Sequence, residues 1–223
     1  MCGRFVQSAS ADDYARYFGA DAVKTESLES NYNVAPTDGV YAVAEHDQER
    51  WLGSFRWGLI PHWSKDHRQA ARFINARVET LTEKPAFRES FRTRRCIIPA
   101  DGFYEWTRRG DLKIPHYIFT GSHAPMALAG LWASWKDPRT DEWLRTCSII
   151  TTEPNDFMRP IHDRMPAMLA EPAWDAWLDR SNHDVEELKS FLGPPPEDLL
   201  ETYEVSTEVN NVRNNGAHLL QPA

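Results

Sequence analysis

The sequence predicts an α+β fold built mostly from antiparallel sheet. Three observations carry this. Short strand-like runs recur at 40–44, 51–57, 95–98, 102–107, 115–120, 127–135 and 143–151, with no helix placed regularly between them. Arg109-Gly110-Asp111 is a turn that joins two of these runs as a hairpin. The helical segments are few and short. A doubly wound sheet needs strict alternation of strands and helices, and this chain lacks it.

The elements follow in order. Ser10-Ala11-Asp12-Asp13 reads as a helix start, with Ser10 as N-cap and Asp13 near the positive helix end. Tyr14, Tyr17 and Phe18 then share a face at i, i+3, i+4 spacing, and Gly19 can end the helix. Asn33-Val34-Ala35-Pro36 reads as an extended loop. In Phe73-Ile74-Asn75-Ala76-Arg77-Val78-Glu79 a period of two places Asn75 and Arg77 on one face of a strand. The runs at 127–135 and 143–151 are apolar enough for buried strands. Pro172 suits the first turn of a helix carrying Trp174 and Trp177. Asp184 caps a second helix running to Leu192, stopped by Gly193 and three prolines. Residues 203–206 read as a final strand. No repeat, low-complexity segment or linker divides the 223 residues, so one domain over 1–223 is expected.

Apolar residues make up 41% and charged residues 26%, an ordinary composition for a globular protein. No stretch approaches the ~20 apolar residues of a membrane helix, and the start lacks the apolar core of a secretory signal. A cytoplasmic protein without membrane contact is expected. Cys2, Cys96 and Cys147 are an odd, widely spaced set, which argues against a disulfide framework. No CxxC, HExxH or paired Cys/His run is present, so no metal site is expected. The net charge of -8 argues against nucleic acid, but its distribution is uneven. Residues 68–95 hold eight basic residues against three acids, whereas 171–208 hold eleven acids against Arg180 and Lys189. Screening over about 10 Å lets a local basic surface bind phosphates on an acidic protein. The plainer alternative is a solvated basic face.

Cys2 follows the initiator Met, and its small side chain favours removal of Met1. Its α-amine and thiol would then sit on adjacent carbons, with ordinary pKa values near 8 and 8.5 at a chain terminus. This 1,2-aminothiol suits attack on an amide, with the amine as base, and equally suits capture of an aldehyde. In the second chemistry an imine forms and the thiol closes a thiazolidine. Glu105 lies between aromatics in Gly102-Phe103-Tyr104-Glu105-Trp106, where burial would make it a general acid/base, or it is a half-exposed strand residue. His162 lies between two prolines in Pro160-Ile161-His162-Asp163-Arg164-Met165-Pro166 and can move protons near neutral pH, or it is a turn histidine paired with Asp163. Asn75 and Arg77 would offer an amide to orient a substrate and a guanidinium to grip a phosphate, or they belong to an ordinary edge strand.

The ordered set Met-Cys-Gly-Arg-Phe, Asn33-Val34-Ala35-Pro36-Thr37, Trp57-Gly58-Leu59-Ile60-Pro61, Asn75-Ala76-Arg77-Val78-Glu79, Ala100-Asp101-Gly102-Phe103-Tyr104-Glu105-Trp106, His162-Asp163-Arg164-Met165-Pro166 and Val212-Arg213-Asn214-Asn215 resembles the SOS response-associated peptidase (SRAP) family of abasic-site processing proteins. Each motif is weak alone; the ordered set, spanning nearly the whole chain, is specific. The resemblance implies a barrel-like core with a few peripheral helices. It also implies that single-stranded DNA carrying an abasic site is the partner, bound by a monomer that is nucleoid-associated when on damaged DNA. Cys2 would form a thiazolidine with the open-chain deoxyribose, crosslinking protein to DNA and shielding the lesion, after autoproteolytic removal of Met1. Asn75 would orient the sugar and the N-terminus. Glu105 would assist ring opening and proton transfer, and His162 would shuttle protons and help reverse the adduct. Arg4, Arg77 and Arg164 would hold flanking phosphates. Trp63 and Pro36 would stack on or wedge beside bases, and Asn33 would join these DNA-contacting residues. An imine intermediate also opens the route to lyase-type strand cleavage. No cofactor is implied. Some relatives carry two adjacent tryptophans where this chain has Trp63-Ser64, so one aromatic platform fewer is expected.

Three competing readings remain at this level. An N-terminal-nucleophile amidohydrolase can also begin Met-Cys-Gly, but the glutamine-binding loops of that class are not found here. A peptidase would use the same nucleophile, yet no pocket for foreign peptides is legible. A non-catalytic single-strand-binding module would need the tryptophans and arginines but not Cys2.

Overall fold

The computed structural model describes residues 2–223. The expected removal of Met1 concerns a residue outside that range. The first half contains β1 (Phe5–Gln7), α1 (Ala11–Tyr17), β2 (Ala22–Val23), β3 (Asn31–Val34), β4 (Gly39–His46), β5 (Glu49–Trp57), β6 (Asn75–Arg77) and α2 (Arg88–Thr93). It continues with β7 (Arg95–Ala100), β8 (Gly102–Arg109), β9 (Leu112–Thr120), β10 (Met126–Lys136) and β11 (Trp143–Thr152). The chain ends with β12 (Met165–Pro166), α3 (Trp174–Leu178), α4 (Val185–Ser190) and β13 (Leu200–Glu204).

Two sheets organise these elements. Strands β11, β10, β7, β4 and β5 are neighbours in that order, and β5 pairs back onto β11 in parallel at Arg56–Thr146 and Trp57–Cys147. The result is a closed, mixed five-stranded barrel, with β2, β6 and β12 added at its edges. The second sheet runs β13-β9-β8-β1-β3 and is antiparallel throughout. The expected α+β class with a barrel-like core and peripheral helices is therefore what the chain forms.

Alternation along the barrel strands divides their side chains between two apolar clusters. Val40, Ala42, Phe55, Trp57, Cys96, Ile98, Cys147 and Ile149 share one cluster with Phe5 and Phe103 of the second sheet. Tyr41, Val43, Leu52, Ile97, Leu131 and Ile150 belong to the other, packed with helical Tyr14, Phe18, Phe91, Trp174 and Trp177. A buried amide ties the sheets together. Gln7 Nε2 donates to the Tyr41 and Pro99 carbonyls at 3.1 and 2.9 Å, and its Oε1 accepts from the Tyr41 amide at 2.7 Å. Where the chain leaves β5, Gly58 has φ +120, and an added Cβ would lie 2.6 Å from the Ala70 carbonyl oxygen. Only glycine fits both the backbone and the space.

Local signals place the helices. The Ser10 hydroxyl accepts from the Asp13 amide at 3.1 Å, and Asp184 accepts from the Glu186 and Glu187 amides at 3.0 Å each. Tyr14 and Phe18 are buried as expected, but Tyr17 is 45% exposed, with its ring edge-on to Phe18 and tilted against Trp174. The short helix turns Tyr17 toward its solvent rim. Helix α4 stops at Ser190 rather than Leu192, because the Leu192 amide bonds three residues back to Lys189 and tightens the last turn. Asn33 and Val34, expected in a loop, form the end of β3 against β1. The last strand begins earlier than expected, pairing Leu200–Glu204 with β9. Strands β1, β2 and β12 and helix α2 were not foreseen; the first three are two or three residues long and carry no periodic signal.

Arg95 corrects one part of the charge reading. It is 2% exposed and does not belong to a basic surface. Its guanidinium donates to the carbonyls of Phe91, Arg92, Trp177 and Asn182, at 2.6–3.1 Å, and also to that of Asp179. It binds the C-terminal ends of α2 and α3, where helix carbonyls lack partners. Burial pulls its pKa down to about 10. Arg68 and Arg94 are paired with Asp66 and Glu89. Three of the eight basic residues of 68–95 are thus buried or ion-paired, while Arg72, Arg77, Lys84, Arg88 and Arg92 stay exposed.

Candidate functional site

The N-terminal segment enters the fold as an extension of β1. Phe5 pairs with Phe103, and the Tyr104 amide donates to the Arg4 carbonyl at 3.0 Å. This register lays Cys2–Arg4 alongside Tyr104–Trp106. Cys2 is fully buried. From the other side, β6 runs parallel to β11, with Asn75 opposite Ile149. Asn75 Nδ2 donates to the Cys2 carbonyl at 2.8 Å, across 73 positions of sequence. Asn75 Oδ1 is buried and has no hydrogen-bond partner among the described residues.

Burial and the field of Glu105 push the Cys2 thiol well above its usual range, while the Arg4 amide pulls the other way. The resting sulfur is therefore a thiol that needs a base. Glu105 is 3% exposed, and burial raises its carboxyl pKa against the opposing pull of His162. His162 Nε2 lies 3.9 Å from Glu105 Oε2. At the far side of the ring, Nδ1 accepts from the Arg164 amide at 3.0 Å and lies 2.9 Å from Asp163 Oδ1. These two contacts exclude each other at a given moment. Accepting from the Arg164 amide requires an Nδ1 without a proton, and donating to Asp163 requires one with it.

Arg4, Glu105 and His162 line a cavity of about 500 Å³ together with Trp106, Arg108, Lys113 and Asn210. Arg4 Nη1 donates to Asn33 Oδ1 at 2.6 Å and the Val209 carbonyl at 2.8 Å, and its guanidinium lies 5.8 Å from the Trp106 ring centre. Asn33 is buried and spends its amide on the C-terminal segment, donating to the carbonyls of Val209, Asn211 and Asn214. It shapes the cavity through Arg4 and through the segment carrying Asn210. Arg77 is exposed at the end of β6. Arg164 is only 9% exposed and is bidentate on Glu79, with a further bond to the Thr151 carbonyl at 2.7 Å. Pro36 is half-buried. Trp63 is 51% exposed, while its neighbour Ser64 turns inward, its carbonyl accepting from Trp135 Nε1 at 2.7 Å.

The fold thus brings Cys2, Arg4, Asn75, Glu105 and His162 together. Of the expected site residues only Arg4, Glu105 and His162 line the cavity; Cys2, Asn33, Pro36, Trp63, Asn75, Arg77 and Arg164 are not part of its lining. Sequence reasoning missed Trp106, Arg108, Lys113 and Asn210. Trp106 adjoins Glu105 in its own motif, and counting back from the Gly110 turn pairs Arg108 with Lys113. No local signal marks Asn210. No group of His, Cys, Asp or Glu suited to a metal ion lies among the described residues. No helix among them is long and apolar enough to cross a membrane.

Comparison with known proteins adds an independent line. A family model described as SOS response associated peptidase (SRAP) matches residues 1–212. The abasic site processing protein YoaM of Bacillus subtilis is 46% identical over 99% of this chain and 97% of its own length. The abasic site processing protein YoqW of the same organism is 43% identical over 99% of both. A crystal structure of a protein from Bacteroides thetaiotaomicron superposes with a TM-score of 0.89 at 30% identity, covering 100% of both chains.

Proposed function

The chain belongs to the SOS response associated peptidase (SRAP) family, and from that membership we propose that it processes abasic sites in DNA by trapping their aldehyde on Cys2. The observation that carries this reading is the 2.8 Å bond from Asn75 to the Cys2 carbonyl, which fixes the N-terminal residue beside the Glu105–His162 pair. Removal of Met1 frees the Cys2 α-amine. The amine adds to C1′ of the ring-opened deoxyribose, and loss of one water gives an imine. The Cys2 sulfur then adds to the imine carbon, its proton passes to the nitrogen, and a thiazolidine closes. Because the thiol pKa is raised, a base must take that proton and pass it to the nitrogen, a role we assign to Glu105, whose charge acts on the thiol. His162 supplies and recovers protons at the other steps. Asn75 Oδ1 offers an acceptor to the freed amine or a sugar hydroxyl. The same imine allows β-elimination of the 3′ phosphate, the lyase branch of this chemistry. Single-stranded DNA fits best, since an aldehyde in a paired helix would not reach a residue this deeply seated. No cofactor is required: amine, thiol and proton carriers complete the reaction.

The test is a denaturing gel and an intact mass. Protein confirmed to begin at Cys2 is mixed with a single-stranded oligonucleotide carrying one abasic site, beside an undamaged control. The expected product appears only on the abasic oligonucleotide, is lost in Cys2→Ala, and has the summed mass less one water. No covalent product would overturn the reading, and ammonia release from glutamine would replace it with an amidohydrolase.

A further inference from the structure

We infer that the tip of the β8–β9 hairpin is a phosphate-binding subsite, in which Arg108 and Lys113 hold successive phosphates of one single-stranded oligonucleotide beside the Trp106 ring. The register of this hairpin places Arg108 directly opposite Lys113. Like charges at directly opposed positions destabilise a strand pair. Both side chains are exposed, and neither has a carboxylate partner among the described residues. The neighbouring Arg109 does have one, bonding Glu204 at 2.6 Å, and Asp111 in the turn pairs with neither cation. On a chain with 33 acids and 25 basic residues, an unneutralised pair at this position is a local excess. It faces the cavity that Arg4, Glu105 and His162 also line. Three cations against one buried carboxyl there make a field for a polyanion.

The floor of the subsite is aromatic. Trp106 Nε1 donates to Asn210 Oδ1 at 2.6 Å, which fixes the ring, and Arg4 lies near it. A fixed indole beside two free cations is the arrangement that single-stranded nucleic acid uses: bases stack while phosphates meet point charges. The unfavourable Arg108–Lys113 pairing is relieved once phosphates lie between them. This inference rests on the DNA reading above, but its test does not pass through Cys2 chemistry.

The probe is a single-stranded oligonucleotide with a tetrahydrofuran abasic analogue, which has no aldehyde and cannot crosslink. Its binding to the full chain is followed by fluorescence anisotropy across salt concentrations. The double variant Arg108→Ala/Lys113→Ala should flatten the log–log salt slope by about 1.4, from two lost phosphate contacts at ~0.7 each. Lys113→Glu should weaken binding further and raise Tm by about 1–2 °C, because it replaces repulsion with a cross-strand ion pair. An unchanged slope in the double variant would overturn the subsite even if the wild-type protein crosslinks authentic abasic DNA. A flattened slope with no wild-type crosslink would support the subsite and reject the Cys2 reading. Failure of the wild-type protein to bind the probe would overturn the subsite, whereas the Cys2 reading stands or falls with the covalent product on authentic abasic DNA.

Discussion

Glu105 is the residue on which the proposed chemistry and stability pull in opposite directions. Burial raises its carboxyl pKa, so the folded protein binds this proton more tightly than the unfolded chain. The sign follows from linkage: its contribution to stability is greatest below the unfolded pKa and declines as pH rises through the folded one. Glu105→Gln should therefore raise Tm at neutral pH while slowing crosslink formation by about 10²-fold or more, the usual worth of a positioned acid/base. The crosslinking rate of the native protein should rise with pH as Glu105 ionises, and the variant should lose that limb. Thermal melts and rate profiles on the same samples check both halves. Arg164 differs from the other arginines at this scale. Its guanidinium already serves Glu79 and the Thr151 carbonyl, so Arg164→Ala would leave the Thr151 carbonyl without its bond. A loss of stability of about 2–3 kcal/mol, seen by denaturant titration, is expected there.

Among elements, small polar connectors matter as much as the apolar faces. Asp101, at the β7–β8 corner, accepts from the Tyr14 hydroxyl and from the Ser8 amide and hydroxyl, each at 2.7 Å. It ties α1 and the segment after β1 to the barrel. Asp101→Ala leaves the hydroxyl of the fully buried Tyr14 without its acceptor and should cost about 2–3 kcal/mol in urea unfolding. Asn33 plays a similar part for the C-terminal segment. Asn33→Ala removes the donor shared by three carbonyls between Val209 and Asn214. Hydrogen exchange should accelerate over 209–215 first, while the barrel strands keep their protection. Since Asn210 holds Trp106, the cavity wall should loosen with it, which near-ultraviolet circular dichroism would register.

For the whole molecule, the barrel is the frame on which distant segments meet. Gly58 lies where the chain leaves β5, its amide donating to the Cys147 carbonyl at 2.8 Å. Gly58→Ala combines a disallowed φ with a Cβ 2.6 Å from a carbonyl oxygen, and a stability loss above about 3 kcal/mol is expected by calorimetry.

The strands at 40–44, 51–57, 95–98, 102–107, 127–135 and 143–151 were legible because they are short apolar runs bounded by turn residues, and the Gly110 turn because it needs a positive φ that glycine gives freely. The caps at Ser10 and Asp184 were legible because a capping bond closes within three residues. The residue types of the site, a thiol at position 2, a carboxyl among aromatics and a histidine between prolines, were likewise local and ordered along the chain. Strand β1 is too short for periodicity, and its place is set by Phe103 and Val34. Arg95 looked like surface charge until α2 and α3 brought their unpaired carbonyls to it. The meeting of Cys2 with Asn75, the burial that raises the Cys2 and Glu105 pKa values, and the opposition of Arg108 to Lys113 depend on register and enclosure. Sequence by itself determined which groups are available, since composition and local period are properties of neighbouring residues. Only the tertiary structure decided which of them touch and how much water surrounds them, because closing the barrel joins segments whose separation in sequence carries no local physical signal.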